Sequence, residues 1–303
     1  MRTVVVGAGA IGSAIAAGLV IAGRDVTLVA RGSRLTELAA RPLELEREGE
    51  VRYVPVPVSG WSEFAGPADL AFLCTKTLDL SEALHSLKSK LVPDGTVVTL
   101  QNGVEAHEQA AACLPMANIV AGRVHGFFEM DGLRARHVGV SGSILFGCTR
   151  GDAAGANAAV EAVLLGSGFG VERSADVVRS LWEKMLISAC AGGVACAFDM
   201  PVGRISDDVK ARPMLRDAMQ EVVALAAARA TVLDAGIVQQ MMDFVARFPP
   251  EATTSLQRDL AAGRPSEYDA LVGVILRMAR EYSVPHPTFL AIDRAVRSRA
   301  GDP

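Results

Sequence analysis

The chain has 303 residues, enough to bury a substantial core and to form two domains. Half of it is hydrophobic and only 5% is aromatic, which excludes a disordered or fibrous chain and suits helices packed closely on a sheet or on one another. The formal charge of -4 gives no general attraction to nucleic acid or to an anionic membrane, although a local basic pocket remains open.

Val4-Val5-Val6 reads as a strand that runs into Gly7-Ala8-Gly9-Ala10-Ile11-Gly12, followed by a small-residue helix over Ile11 to Ile21. In such a strand-turn-helix, one glycine permits the turn, a second admits a pyrophosphate to the backbone, and a third lets helix and strand approach. The helix start adds backbone N–H groups and a partial positive potential. Gly7, Ala8, Gly9, Ala10, Ile11 and Gly12 are therefore expected to bind a dinucleotide through their backbone; a purely structural turn is the alternative.

Asp25 to Ala30 supplies a second strand, and Ser33 is the expected cap of the helix that follows. Where an NAD-selective site usually places Asp or Glu, this strand is followed by Arg31, with Arg34 one short turn later. A guanidinium there can form paired hydrogen bonds with phosphate oxygens, so NADP is the expected cofactor. The competing reading makes both arginines ordinary solvent-facing residues.

Alternation then continues to about residue 102. Short strands are expected within Glu44 to Val58, a strand over Asp69 to Cys74, a helix over Leu78 to Leu91 and a strand over Thr96 to Leu100. Cys74-Thr75-Lys76 and Gln101-Asn102-Gly103 follow apolar strands and should emerge at the carboxyl edge of the sheet, where ligands collect. Lys76 can attract a phosphate or a substrate anion, and Asn102 can hold a ribose or nicotinamide group; a surface lysine and an Asn-Gly turn are the alternatives. The stretch from about 118 to 148 extends the sheet, and Gly151 to Gly170 combines a turn with helical spacing at Val160, Val163 and Leu164.

These patterns predict a Rossmann-type α/β domain over residues 1–175 and an all-helical domain over 176–303. In the second domain, helices are expected over Leu181 to Ala191, Met214 to Ala230, Val238 to Phe248, Thr253 to Leu260 and Tyr268 to Glu281. Pro285 and Pro287 should then break the chain before a basic final helix around Ile292 to Arg299.

Five cysteines without CxxC spacing, and a first strand starting at Thr3 with no leader, predict reduced thiols and a cytoplasmic setting. The nearest candidate for a membrane span, Met185 to Phe198, is too short and contains Gly192 and Gly193. The five histidines form no compact metal-ligand motif, so no metal is expected. The short basic stretch Arg294 to Arg299 lacks an aromatic platform for nucleic acid. The alanine-rich helices offer a surface for a homodimer, though the same pattern also describes an internal core.

Leu181-Trp182-Glu183-Lys184-Met185-Leu186 places a lysine on a helix just beyond the expected boundary, with Ser255 and Glu267 near later helices. At these residues the chain resembles the ketopantoate reductase family, whose members reduce 2-dehydropantoate with NADPH in pantothenate biosynthesis. The matching stretches are Gly7 to Gly12, Thr75-Lys76, Gln101 to Val104, Leu181 to Lys184, Thr254 to Asp259 and Ser266 to Asp269.

The resemblance implies a nucleotide domain and a helical domain with the substrate, a small 2-oxo acid, between them. It implies a general-acid role for Lys184 and a substrate-positioning or lysine-orienting role for Glu267. Ser255 matches a substrate-contacting position, and Lys76 and Asn102 match cleft residues around the nicotinamide end, expected to contact both substrate and cofactor; Glu267 is expected to contact the cofactor as well. Three positions depart from the family pattern. Ser188 stands where Asn is typical, Gly192-Gly193 where Asn-Pro is common, and Val272 where Asn is common.

Ser188 is still expected to contact substrate, but a hydroxyl lacks the separated donor and acceptor of a carboxamide, so these departures can redirect specificity. Two other functions therefore stand beside the first. One is an NADP-dependent D-2-hydroxy-acid dehydrogenase for another branched or aromatic 2-oxo acid; the other is a nonenzymatic NADP-binding redox sensor.

Overall fold

A computed structural model describes residues 1–300 of the chain, with side chains described everywhere except at 139–141 and 300. Residues 301–303, the end of the expected helical domain, lie outside the described residues. Two compact units result: Met1–Gln101 with Glu105–Val177, and Asn102–Val104 with the chain from Val178 onward. The short loop 102–104 thus leaves the unit that surrounds it in sequence.

The first unit is a Rossmann-type α/β domain. Its elements run β1 (Thr3–Val6), α1 (Ala10–Ile21), β2 (Val26–Val29), α2 (Gly32–Ala40), β3 (Leu43–Arg47), β4 (Glu50–Val54), β5 (Val58–Ser59) and β6 (Ala68–Leu73). They continue through α3 (Leu80–Leu87), β7 (Leu91–Thr99), α4 (Ala106–Cys113), β8 (Asn118–Asp131), β9 (Arg134–Arg150), α5 (Ala153–Leu164) and β10 (Gly170–Arg173).

Among the described residues these strands form one ten-stranded sheet in the order β4-β3-β9-β8-β7-β6-β1-β2-β5, with β10 paired to β9. Strand β1 lies between β2 and β6 and pairs parallel with both. The central strands are apolar on both sides because both sheet faces are covered. Val5, Phe72 and Val98 point into one core with Ile15, Leu19 and Val160 of α1 and α5. Val4, Val6, Leu73 and Val97 point into the other with Leu80, Leu84 and Ala110 of α3 and α4.

Several expected boundaries move for identifiable reasons. Ser33 lies inside α2; the cap position is Arg31, whose side chain makes no capping bond. The predicted helix over Leu78 to Leu91 is shorter, with a 3-10 turn at Thr77–Asp79 before α3 and strand β7 already starting at Leu91, where it pairs with Ala68. The stretch near 118–148 is a long antiparallel hairpin of β8 and β9, and the unpredicted β10 adds a parallel strand after α5.

Among its described residues the second unit contains helices and no strand. They are α6 (Val177–Met185), a π-turn at Leu186–Ala191, α7 (Gly192–Phe198), a 3-10 helix at Val202–Asp207, α8 (Ala211–Ala228), α9 (Ile237–Val245), α10 (Ser255–Ala261), a second π-turn at Asp269–Gly273, α11 (Val274–Glu281) and α12 (Pro287–Ala300). The expected break at Pro287 is instead the first residue of α12. A missing N–H costs nothing there, and the Glu221 carboxylate accepts from the next two amides, Thr288 at 2.7 Å and Phe289 at 3.0 Å.

The continuous helical run Val177–Phe198 is 22 residues long and apolar enough to cross a membrane by length and composition. The expectation of a shorter segment is therefore corrected. However, 67% of its most apolar window is buried inside the protein, as in a core helix.

Candidate functional site

In the first unit, the glycine turn divides its work among three positions. Gly7 adopts φ +105°, and a Cβ there would come within 2.8 Å of the Thr75 amide nitrogen. At Gly12 a Cβ would lie 1.9 Å from the Gly7 carbonyl oxygen, so only glycine lets α1 start this close to β1. Gly9 is the reverse case: it is exposed, and a Cβ there would meet nothing within 4 Å.

Gly9 caps α1 without a side-chain bond, and the first helical turn carries no acid. The leading amides of a helix have no intrahelical acceptor, so this turn offers N–H donors and open space to an anion. Ala8, Ala10 and Ile11 line the same turn, each only half-buried. The residues present thus fit a dinucleotide pyrophosphate.

Cys74 borders this cradle, its Cβ being 3.0 Å from the point where a Gly12 Cβ would sit. Burial pushes its thiol well above the ordinary range, so no thiolate charge opposes an anion at neutral pH. Exposed Lys76 follows two residues later, before the 3-10 turn.

The neighbouring Gln101 carries a structural role that its sequence context does not announce. Only 6% exposed, it donates through Nε2 to the Leu73 carbonyl at 3.0 Å and the Thr75 carbonyl at 3.1 Å. Its own carbonyl oxygen is buried without a partner. The side chain ties the end of β7 to the loop after β6 that carries Thr75 and Lys76. A long polar residue directly after the buried strand end Val97-Val98-Thr99-Leu100 was the available signal.

Arg31 stands at the end of β2 as expected, but its guanidinium is engaged. It reaches Asp79 at 2.6 Å and Glu82 at 3.0 Å, and the Asp79 hydrogen bond and charge raise its already high pKa. Arg34 bonds the Gly132 carbonyl and lies 3.5 Å from Glu37.

In the second unit, Lys184 lies in the last turn of α6, half-buried. The Ser188 hydroxyl donates to the Lys184 backbone carbonyl at 3.0 Å, which leaves its oxygen lone pairs as acceptors. Glu183 is committed elsewhere, to Arg179 at 3.2 Å, and Arg179 also holds Asp234 at 2.5 Å.

Asn102 and Glu267 are brought together, with Asn102 Nδ2 donating to Glu267 Oε2 at 2.8 Å. Beside them, Gly103 at φ +102° runs close to the Ala270 carbonyl, where a Cβ would sit at 3.1 Å. The next residue, Tyr268, anchors this segment to α12 through a 3.0 Å bond from its hydroxyl to Asp293. Burial and the Asp293 charge raise the phenol pKa, so it stays a donor. Ser255 is exposed at the start of α10, next to a capping box formed by Thr254 and Gln257.

One arrangement was invisible in the sequence. Lys184 and Glu267 each stand two residues before a π-turn, and the two π-turns pack on each other. Such turns interrupt the regular helix and recur at functional sites. The departures noted above lie in the same packing. A Cβ on Gly193 would sit 3.4 Å from Val272 and 3.2 Å from Ile292, and Val272 is fully buried. Among the described residues no cluster of three or more His, Cys, Asp or Glu has the makings of a metal site.

Comparisons with known proteins cover nearly the whole chain. The profile of the family described as ketopantoate reductase PanE/ApbA matches residues 3–151, and that of its C-terminal domain matches 176–300. A 2-dehydropantoate 2-reductase of Mycobacterium tuberculosis H37Rv is 32% identical over 285 residues, covering 93% of this chain and 92% of that protein.

Among solved structures, a PanE/ApbA family ketopantoate reductase from Ralstonia eutropha JMP134 superposes with a TM-score of 0.88 at 29% identity, covering 98% of each chain. A D-mandelate dehydrogenase in ternary complex with NADH and anilino(oxo)acetate has the same TM-score of 0.88 at 24% identity, covering 98% of this chain and 97% of that one. The latter is a likeness of fold.

Proposed function

The chain belongs to the ketopantoate reductase family, and from that premise we propose that it is an NADPH-dependent oxidoreductase that reduces 2-dehydropantoate to pantoate. The observation that carries the reading is the grouping in the second unit: Lys184 with Ser188, and Glu267 with Asn102, beside two π-turns that pack together. The glycine turn supports the cofactor, and Arg31 favours its 2′-phosphorylated form.

In this reading the amides at the start of α1 bind the pyrophosphate, and Lys76 adds positive charge for an anionic group. When bound, the reduced nicotinamide supplies the hydride. As the C2 carbonyl accepts it, the carbonyl electron pair moves onto oxygen. Protonated Lys184 stabilises that charge and delivers one proton, leaving an alcohol and a neutral amine that solvent reprotonates. Asn102 orients Glu267, which positions a substrate hydroxyl or the lysine, and Ser188 and Ser255 offer hydroxyls to the substrate. A soluble cytoplasmic setting completes the reading.

A second substrate class is favoured by one observation. Val272, which stands where the family commonly carries Asn, packs in an apolar cluster with Gly193 and Ile292, so a carboxamide that could fix a polar branched acid is replaced there by hydrocarbon. NADPH oxidation measured against a panel of 2-oxo acids tests both readings. Selective turnover of ketopantoate supports the first, selective turnover of an aromatic or other branched acid supports the second, and tight NADPH binding with no turnover rejects both in favour of a nucleotide sensor.

A further inference from the structure

The engagement of Arg31 is more specific than a surface ion pair needs to be. Its two terminal nitrogens are divided between two carboxylates, Nη2 on Asp79 and Nη1 on Glu82. Both acids belong to the start of α3, where carboxylates are favoured by the helix dipole and the free amides. Asp79 occupies the cap position, yet its side chain makes no capping bond and turns to Arg31 instead. Because β2 and β6 flank β1, these pairs link the loops on either side of the glycine turn.

The cluster carries one positive and two negative charges. A 2′-phosphate, with a charge of about -1.5 to -2 near neutral pH, requires the same guanidinium edges. It must therefore take over donors now given to Asp79 and Glu82, and it then lies beside two carboxylates. A free 2′-hydroxyl brings no charge and makes no such demand. The pairs are solvent-exposed, with Arg31 and Glu82 each 67% accessible, so they are weak enough to be displaced.

We infer that Asp79 and Glu82 are specificity-determining residues for the cofactor: by occupying Arg31 they oppose the 2′-phosphate and hold down the preference for NADPH over NADH. This rests on the reading that Arg31 faces the 2′-phosphate. A purely structural role at the start of α3 would change stability and affect both cofactors alike.

The test is calorimetric titration of NADPH and NADH into the wild type, Asp79→Asn, the double variant Asp79→Asn with Glu82→Gln, and Arg31→Ala. These amides keep the shape of the acids, and Asn remains a good cap. The expected result in the double variant is an NADPH Kd lower by about threefold to tenfold, with the NADH Kd within about twofold of wild type. The gain should shrink as salt is raised.

Arg31→Ala should reduce the ratio of the two affinities towards one. If Arg31→Ala does so but the neutral variants leave the ratio unchanged, or weaken NADPH alone, the inference fails while the placement of Arg31 stands. If Arg31→Ala leaves the ratio unchanged, that placement fails and the inference falls with it.

Discussion

In the proposed reading the glycine turn of the first unit holds the cofactor and the residues beside the paired π-turns of the second act on the substrate, and the two places are built from opposite materials. At the turn, function rests on the backbone: no room for a Cβ at Gly7 and Gly12, and open space at Gly9. Around the π-turns it rests on side chains, the amide of Asn102 on Glu267 and the hydroxyl of Ser188 on Lys184. A backbone site tolerates few residue types at each position. A side-chain site can be rebuilt, as the apolar contacts of Gly193 with Val272 and Ile292 illustrate.

The sharpest way to break this contrast is at Gly12. Gly12→Ala forces a Cβ to 1.9 Å from a carbonyl oxygen, and we expect both a loss of about 1–3 kcal/mol or more in stability and loss of NADPH binding. Gly9→Ala should separate the two effects, because its φ of -79° suits alanine and its Cβ meets open space. Its melting temperature should stay close to wild type while NADPH affinity falls about tenfold, as a methyl group enters the path of the pyrophosphate. Thermal melts with parallel NADPH titrations check both; equal behaviour of the two variants would remove the division of labour.

A smaller effect should sharpen the second half of the comparison. If Asn102 acts by orienting Glu267, then Asn102→Ala and Glu267→Gln should not be additive in kcat/KM. A double-mutant cycle should give a coupling of about 0.5–3 kcal/mol. Additivity within about 0.3 kcal/mol would make the 2.8 Å bond incidental to turnover.

The same contrast explains what could be read from the sequence. The cradle was legible because exclusion of a Cβ at Gly7 and Gly12, with the open approach needed at Gly9, leaves glycine at fixed spacing, and the sheet was legible because strands covered on both faces must be apolar throughout. The π-turns were not, since Leu186 to Ala191 and Asp269 to Gly273 have the composition of ordinary helix. Arg31 was found, but its partners were not. Asp79 and Glu82 lie 48 and 51 residues away in sequence, and only the parallel pairing of β1 with β2 and β6 brings those loops together. Gln101 sits in a stretch that reads as a turn, yet its role comes from burial, a tertiary property that its local pattern only hints at.

The central claim of the proposed function is that Lys184 supplies the proton that completes the reduction of ketopantoate by NADPH. Single-turnover reduction of ketopantoate by NADPH, followed by nicotinamide absorbance in the wild type and Lys184→Ala alongside NADPH titration, tests it most directly. The account predicts a rate lower by about 10²–10⁴-fold with an NADPH Kd within about twofold of wild type. A folded Lys184→Ala protein that reduces ketopantoate at the wild-type rate would contradict it.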